Sequence, residues 1–281
     1  MISDEVYSCG WDIIHACNYR CPYCFFLPSW ETHGPETNQR HLECAPADWL
    51  RFWERSFQKY GRFYIEIAGG EPFCYPEFIL LIQRISAWHR IRIVTNLSTP
   101  VEEILRLWDP RAVALSASFH PHHAERGEFI AKLKRLKERG FGAMASVVAY
   151  PPVFETLPEI KRTFEAEGIS CFLNPFQGVY EGRPYPQAYS PEQSSYLRAE
   201  AAAEALEYRM RAESPRGRLC AAGRTYFRVW PNGLIYRCCP ATEIGEKPMG
   251  HIKDPDFQLL AEPAPCPADR CFAPNEIKLL L

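Results

Sequence analysis

The sequence predicts an α/β fold in which a mainly parallel sheet is followed by a small cysteine-bearing extension. Short apolar runs alternate with helix-length segments from about residue 6 to about residue 213, and this alternation is typical of consecutive βα units. After residue 174 the alternation stops, and cysteines recur from residue 220 onward. Right-handed βα units give either an open doubly wound sheet or part of a barrel, because a full eight-unit barrel needs more units than this chain contains.

Six segments have the composition of buried strands, and segments with a helical apolar stripe lie between them. The predicted strands are Val6 to Ala16, Phe63 to Ala68, Ile91 to Thr95, Val113 to Phe119, Ala143 to Tyr150 and Ile169 to Asn174. The helical stripes run from Ala47 to Tyr60 and from Glu128 to Arg139, where apolar residues recur every three or four positions. The second stripe stops at Gly140, a residue type that favours helix ends.

The chain after the sixth predicted strand has a different composition. Residues 174 to 191 are aromatic and rich in proline and glycine, which predicts a long loop. An alanine-rich helix is predicted from Pro191 to about Arg211. Beyond it, Tyr226 to Trp230 and Leu234 to Cys238 flank Pro231-Asn232-Gly233, which predicts a β-hairpin. The domains expected from this change are residues 1–213 and residues 214–281.

Composition narrows the class of protein. Twelve cysteines stand among 281 residues, and the net charge is -2 at pH 7. This charge gives no basic surface for nucleic acid, and no run reaches the ~20 apolar residues of a membrane span, so neither is an expected partner. The amino-terminal residues carry no apolar export signal, so we expect a cytoplasmic protein with reduced thiols. Such cysteines are expected to bind metal or to take part in catalysis.

Three cysteines lie within eight residues directly after the first predicted strand, at Cys17, Cys21 and Cys24. Pro22 argues against a continuous helix there, so we expect the segment to loop and its thiols to converge. Thiolates select zinc, copper(I) or iron–sulfur clusters. Three ligands are one fewer than a closed site needs, so one position stays open unless a neighbour such as His15 completes a zinc site. A chance grouping of buried cysteines is the other alternative.

A second motif, Gly69-Gly70-Glu71-Pro72, directly follows the second predicted strand. Glycines let a backbone approach a ligand closely, and Glu71 can accept hydrogen bonds from an ammonium group. A plain strand-to-helix turn is the alternative. Together with Cys17-x3-Cys21-x2-Cys24 and the aromatic Tyr23, this motif makes the sequence resemble the radical SAM superfamily. The resemblance covers most of the chain and implies a partial (β/α)6 barrel.

The resemblance also implies cofactors and a reaction. Cys17, Cys21 and Cys24 would hold three irons of a [4Fe-4S] cluster, and S-adenosylmethionine would chelate the fourth. A 5′-deoxyadenosyl radical, formed by reduction from a one-electron donor such as flavodoxin or ferredoxin, would abstract a substrate hydrogen. For the strand-end residues near this site, simple capping of the strands is the alternative. The expected contacts to S-adenosylmethionine are Tyr23, Gly69, Gly70, Glu71, Pro72, Thr95, Asn96, Ser116, Ser118, His120 and Asn174.

The carboxyl-terminal cysteines show a second spacing. Twelve residues separate Cys220 from Gly233, and four separate Gly233 from Cys238. This spacing resembles the first half of the SPASM and twitch extensions of radical SAM enzymes, which hold auxiliary iron–sulfur clusters. The shorter twitch form, with one auxiliary [4Fe-4S] cluster, fits the number of cysteines best, and a zinc ribbon is the alternative. Cys239 competes with Cys238, although the spacing favours Cys238. The expected ligands are Cys220, Cys238, Cys266 and Cys271.

These features predict an oxidoreductase that abstracts hydrogen from an unactivated C–H bond and oxidises the substrate radical through the auxiliary cluster. The substrate would be a small molecule, such as a sugar or cyclitol, or a peptide, and the sixteen residues before Cys17 favour the small molecule. One alternative is a redox-neutral epimerase or isomerase with Cys74 as hydrogen donor. Another is a zinc-stabilised binding module without catalysis. The aromatic loop Phe176 to Tyr189 is the expected place for substrate contacts.

Overall fold

The structure is a computed structural model that describes residues 6–24, 44–200, 213–271, 276 and 278–281. The strands are Tyr7–Ile14 (β1), Phe63–Gly69 (β2), Arg90–Thr95 (β3), Val113–Ser118 (β4), Gly142–Ala149 (β5), Cys171–Pro175 (β6), Gly178–Tyr180 (β7), Arg183–Tyr185 (β8), Leu219–Cys220 (β9), Tyr226–Val229 (β10), Leu234–Tyr236 (β11), Gly250–His251 (β12) and Ala264–Pro265 (β13). The helices are Pro46–Tyr60 (α1), Phe78–Ile85 (α2), Glu102–Leu107 (α3), Arg126–Glu138 (α4), Leu157–Ala166 (α5), Pro191–Glu200 (α6) and Cys239–Glu243 (α7). Two short 3-10 turns lie at Pro72–Cys74 and Pro151–Thr156.

Nine of the described strands form one sheet, in the order β12-β11-β10-β1-β2-β3-β4-β5-β6. Strands β1 to β6 are all parallel and follow one another in chain order. Each begins and ends within two residues of its predicted limits. The α/β class with six parallel strands is therefore confirmed, and the arrangement is that of a partial (β/α)6 barrel.

Helices α1, α2, α4 and α5 each carry a stripe of buried apolar residues, through which they pack on the core. In α1 this stripe includes Trp49 and Trp53, which are fully buried. Trp11 of β1 packs on it, with its ring centroid 4.7 Å from that of Trp49. Alternate strand residues face the other way, as Ser116 and Ser118 do on β4. This second, concave face encloses the interior cavities.

The loop predicted between residues 174 and 191 contains a hairpin, so the prediction of a continuous loop is wrong. Strands β7 and β8 pair antiparallel, with Val179 opposite Pro184. Glu181 and Gly182 form the turn between them, with φ of 48° and 72°. Two-residue hairpin turns need such positive φ values, which glycine adopts easily. Gly182 is therefore the signal in the sequence for this hairpin.

The predicted carboxyl-terminal hairpin is present and extends the same sheet. Strand β10 pairs in parallel with β1, with Tyr226 opposite Ser8, and β11 pairs antiparallel with β10. Gly233 lies in the turn with a φ of 81°, which favours glycine. The domain boundary between residues 213 and 214 stays a prediction, and strands from both sides of it share one sheet.

Helix α6 begins at Pro191, as predicted, and is described as far as Glu200. The remainder of that predicted helix, to about Arg211, lies outside the described residues. Within the described ranges, no helix is both long and apolar enough to cross a membrane.

Candidate functional site

A cavity of about 310 Å³ lies where the carboxyl ends of the parallel strands meet, and we name it the carboxyl-edge cavity. The cysteine loop after β1, the glycines after β2 and the ends of β3, β4 and β6 form its wall. Open α/β sheets bind their ligands at this edge. The predicted site residues that line it are Cys17, Cys21, Tyr23, Cys24, Gly69, Gly70, Glu71, Thr95, Asn96, Ser118, His120 and Asn174.

Hydrogen bonds hold the cysteine loop in a compact turn. The Cys24 N–H donates to the Cys21 carbonyl at 3.1 Å, and the Tyr19 N–H donates to Cys17 Sγ at 3.3 Å. Arg20 Nη1 donates to the carbonyls of Cys17 and Tyr19 at 2.6 and 2.8 Å. This turn presents all three thiols to the carboxyl-edge cavity, as the sequence predicts.

The thiols are partly withdrawn from water. Burial and the neighbouring Cys24 raise the pKa of Cys21 to about 12, and burial raises the pKa of Cys17. Thiols without a bound metal therefore keep their protons at neutral pH, and metal binding must displace them. In the part of the chain that the structure describes, no group of three or more Cys, His, Asp or Glu side chains is arranged so that it could hold a metal ion without movement. As a donor set, three soft sulfurs beside a glycine-lined cavity suit an iron–sulfur cluster with one open position.

The two glycines after β2 let the backbone of the cysteine loop come very close. The Gly70 N–H donates to the Ile14 carbonyl at 2.6 Å, and the Glu71 N–H donates to the Ala16 carbonyl at 2.8 Å. A Cβ on Gly69 would lie 2.1 Å from the Ile14 carbonyl oxygen, and one on Gly70 would lie 2.1 Å from that of Ala16. Glycine is therefore required at both positions. The motif fixes the cysteine loop to the end of β2.

Glu71 is 1% exposed and joins the end of β2 to the end of β3. Its carboxylate accepts hydrogen bonds from the Thr95 hydroxyl and the Asn96 N–H, both at 2.7 Å, and from the Phe73 N–H at 3.2 Å. Burial raises the pKa of Glu71 to about 7, although these hydrogen bonds act in the opposite direction. Both carboxylate oxygens are engaged by protein donors, so a ligand ammonium group at Glu71 has to share them.

The raised pKa of Glu71 is expected to make the stability of the cofactor-free chain depend on pH. Between about pH 4.5 and pH 7 the folded carboxyl keeps a proton that the unfolded one has lost. The free energy of unfolding should therefore fall as pH rises through this window, by on the order of 3 kcal/mol in total. Urea unfolding of the wild type and of Glu71→Gln across the window measures this. Parallel pH profiles for the two proteins would contradict the prediction.

Two asparagines connect β3 with the cysteine loop. Asn96 Nδ2 donates to Asn18 Oδ1 at 2.8 Å and lies 3.9 Å from Cys17 Sγ. Asn18 Nδ2 in turn donates to Ser98 Oγ at 2.9 Å. Asn18 and Ser98 are not among the predicted site residues, and their position next to predicted ones is the only signal that the sequence offers for them.

The loop after β4 packs on the cysteine loop through two histidines. His120 Nδ1 lies 3.0 Å from the Tyr23 hydroxyl and 3.5 Å from Cys21 Sγ. The ring of His123 stacks on that of Tyr19, with the centroids 4.5 Å apart. Burial lowers the pKa of His120 to about 4, so its imidazole is neutral at physiological pH. The structure thus places the predicted residue His120 beside the cysteines.

Three predicted residues are not among the described residues that line the carboxyl-edge cavity: Ser116, Pro72 and Cys74. Ser116 lies two positions before Ser118 on the same face of β4. Pro72 and Cys74 belong to a 3-10 turn that follows the glycines and leads toward α2, and Cys74 is exposed there. The cavity therefore gives no support to Cys74 as a hydrogen donor.

The carboxyl-terminal cysteines are brought together in part. Cys220, Cys238 and Cys266 belong to one buried cluster, which we name the second cysteine group. Strand β9 pairs with β13, which puts Cys220 opposite Ala264. Cys266 follows Ala264 by two positions in the chain. Cys271 is half-buried and does not belong to this cluster.

Glu276 is a buried carboxylate that the sequence does not single out. It accepts hydrogen bonds from the Tyr226 hydroxyl at 2.8 Å and from the Cys239 N–H at 3.0 Å. Arg228 Nη1 lies 3.8 Å from Glu276, and the same guanidinium pairs with Asp12 at 2.7 Å. This network joins β1, β10 and the carboxyl terminus. A lone glutamate near the end of the chain gives no pattern from which such a role can be predicted.

A second interior cavity, of about 490 Å³, lies at the amino-terminal ends of β1 to β5, and we name it the amino-edge cavity. Ser8, Tyr64, Arg90 and Gly142 line it together with Tyr226. Tyr226 also packs in the second cysteine group. The two groups of cysteines therefore lie toward opposite ends of β1, and interior space lies between them.

The comparisons with known proteins concern both the sequence and the fold. A family model described as the Radical SAM superfamily matches residues 11–166, which contain the cysteine loop, the Gly-Gly-Glu-Pro motif and the carboxyl ends of β1 to β5. The sequence matches no curated protein.

Solved structures share the fold at low sequence identity. The crystal structure of SuiB from Streptococcus suis has a TM-score of 0.63 and 14% identity, over 90% of this chain and 65% of the SuiB chain. The structure of anSMEcpe with bound AdoMet has a TM-score of 0.59 and 13% identity, over 88% of this chain and 78% of that one. This chain thus spans less than two thirds of SuiB. Because the family model covers more than half of the sequence, including all three cysteines of the loop, this chain belongs to the radical SAM superfamily.

Proposed function

We propose that this chain is a radical SAM oxidoreductase that binds a [4Fe-4S] cluster and S-adenosylmethionine in the carboxyl-edge cavity. The observation that carries this proposal is the convergence of Cys17, Cys21 and Cys24 on one cavity with Gly69 and Gly70. When bound, these cofactors supply a 5′-deoxyadenosyl radical that removes a hydrogen atom from the substrate.

Different parts of the cavity wall serve different parts of S-adenosylmethionine. Gly69 and Gly70 line the cavity beside the cysteine loop and are the proposed contacts for the methionine portion. Ser118 and Asn174 offer a hydroxyl and an amide to the ribose, since both line the cavity at strand ends. Phe176, which also lines the cavity, offers an apolar surface to the adenine.

The second cysteine group takes an auxiliary [4Fe-4S] cluster in this proposal, as in a twitch extension. Cys220, Cys238 and Cys266 share a buried cluster, which supports them as ligands. The burial of Cys238 among these thiols favours it over Cys239, whose N–H is bound by Glu276. Cys271 is the proposed fourth ligand, with weaker support because it lies outside the buried cluster.

The proposed reaction oxidises a substrate that lies in the interior between the two cysteine groups. Strand β1 has eight residues and so spans about 26 Å, and the two groups lie toward its opposite ends. With both cofactors bound, the substrate would lose a hydrogen atom to the deoxyadenosyl radical. It would then lose one electron to the auxiliary cluster and one proton to water, so that the product would have two hydrogens fewer. Reduced flavodoxin or ferredoxin supplies the electron that starts each turnover.

The proposed substrate is a small molecule, such as a sugar or cyclitol, or a peptide. The structure of anSMEcpe with bound AdoMet and Kp18Cys peptide, with a TM-score of 0.60 to this chain, supports the peptide class. Phe176 and Gln177 connect the cavity wall to the β7–β8 hairpin, where Val179 is 70% exposed. This hairpin is the proposed contact for a substrate at the entrance. All twelve cysteines are free thiols, which fits a reducing compartment such as the cytoplasm.

Replacing Cys220 and Cys238 together by alanine tests the auxiliary cluster. We expect the iron content of the anaerobically reconstituted chain to fall from about eight to about four atoms, because one of two [4Fe-4S] clusters is lost. Formation of 5′-deoxyadenosine should continue, whereas oxidised product should disappear. Cys171→Ala is the matched control, since Cys171 is buried on β6 away from both cysteine groups. Unchanged iron content, or product formation at the wild-type rate, would refute the proposed electron transfer.

A further inference from the structure

His120 contacts one of the three cysteines of the loop, and Tyr23 contacts His120. His120 Nδ1 lies 3.5 Å from the Cys21 sulfur. The same nitrogen lies 3.0 Å from the Tyr23 oxygen. One imidazole nitrogen therefore contacts both the cysteine and the tyrosine.

The direction of these hydrogen bonds follows from the chemistry of a metal-bound thiolate. A sulfur bound to iron carries no proton and can only accept. His120 Nδ1 is then the donor in its contact with Cys21, and the Tyr23 oxygen accepts from the same N–H. That arrangement requires the Nδ1–H tautomer of the imidazole.

Packing holds both rings in place. The rings of Tyr23 and His120 stack with their centroids 5.8 Å apart. The ring of Tyr150 packs on Tyr23, with the centroids 5.0 Å apart. Tyr19 meets His120 edge-on at 5.9 Å. Tyr23 is buried, so its hydroxyl has little access to water as an alternative partner. The imidazole is thus held against the sulfur before any cluster binds.

We propose that His120 acts as a hydrogen-bonding cap on Cys21 that raises the reduction potential of the S-adenosylmethionine-binding cluster, and that Tyr23 positions the imidazole. This inference rests on the cluster of the proposed function. Hydrogen bonds to the sulfurs of an iron–sulfur cluster stabilise the reduced state, which carries one more negative charge, over the oxidised state. At Cys17 the Asn96 amide is more distant, at 3.9 Å.

Variants that keep an aromatic ring and remove a polar group test the cap. In anaerobic redox titrations followed by electron paramagnetic resonance, His120→Phe and Tyr23→Phe are each expected to lower the midpoint potential of the cluster. His123→Phe is the matched control, because His123 lies on the same loop and stacks on Tyr19 without contacting a cysteine. Its potential should equal that of the wild type.

The cluster in question is identified by the change in its signal when S-adenosylmethionine is added. If the wild type shows no such signal, the proposed function itself fails. If the signal is present and both His120→Phe and Tyr23→Phe keep the wild-type potential, only the cap is refuted. Tyr23→Phe removes a single oxygen atom, so it keeps the test decisive if the histidine variant does not fold.

Discussion

Replacement of Cys17, Cys21 and Cys24 together by alanine is expected to abolish the formation of 5′-deoxyadenosine. The three thiols line one cavity and supply all the soft ligands of the carboxyl-edge site, so no partial coordination remains. About four iron atoms per chain should be lost, and the broad iron–sulfur absorbance should weaken accordingly. The measurement is iron and sulfide content together with a timed assay for 5′-deoxyadenosine under strong chemical reduction.

The fold should survive this change. The three cysteines belong to a loop outside the strands and helices, and Cys17 and Cys24 are only half-buried. The circular dichroism of the triple variant should therefore match that of the chain prepared without metal. Cys171→Ala controls for the removal of a thiol from a site that binds no cofactor. Sustained 5′-deoxyadenosine formation by the triple variant would contradict the assignment of these cysteines.

Gly70→Ala is expected to have the second largest effect. Its new Cβ would lie 2.1 Å from the Ala16 carbonyl oxygen and 2.5 Å from that of His15, and both atoms belong to the backbone. Backbone cannot rotate aside as a side chain can, so the cysteine loop must move or the chain must lose stability. Overpacking costs typically 1–3 kcal/mol, and we expect a loss of about 3 kcal/mol in the free energy of unfolding, because the contact is with fixed atoms.

Gly142→Ala is the matched control for this substitution. Gly142 also lies at the end of a parallel strand, but a Cβ there would approach only the Ala114 Cβ, at 3.4 Å. Urea unfolding of both variants, together with binding of S-adenosylmethionine to the reconstituted proteins, measures the difference. If Gly70→Ala is as stable as Gly142→Ala and binds S-adenosylmethionine equally well, the close approach at Gly70 has no functional role.

The parallel strands and the grouping of the predicted site residues follow from local patterns in the sequence. Apolar runs of the right length predict β1 to β6 because a strand buried on both faces needs them. Residues at successive strand ends must then share one edge, which is why Cys17, Thr95, Ser118 and Asn174 meet at one cavity. Their positions at the strand ends, together with the family resemblance that singled them out, therefore predict that they lie together.

Other features depend on contacts between distant parts of the chain, which no local pattern specifies. The carboxylate of Glu276 is defined by Tyr226 and the Cys239 N–H, neither of which marks it in the sequence. The β7–β8 hairpin is local and has a signal in Gly182, but its turn also needs a positive φ at Glu181, which is not glycine. The boundary of the predicted extension is obscured in the same way, because its first long strand pairs with the first strand of the chain.

The pairing of β1 with β10 has a consequence for the order of folding. It joins residues 8–11 to residues 226–229, so the two strands are 218 positions apart in sequence. During synthesis, one edge of β1 has no partner until β10 has left the ribosome, and contacts of such long range form slowly. An unpaired strand edge also invites association with other chains. We therefore expect shortened chains that end before β10 to aggregate.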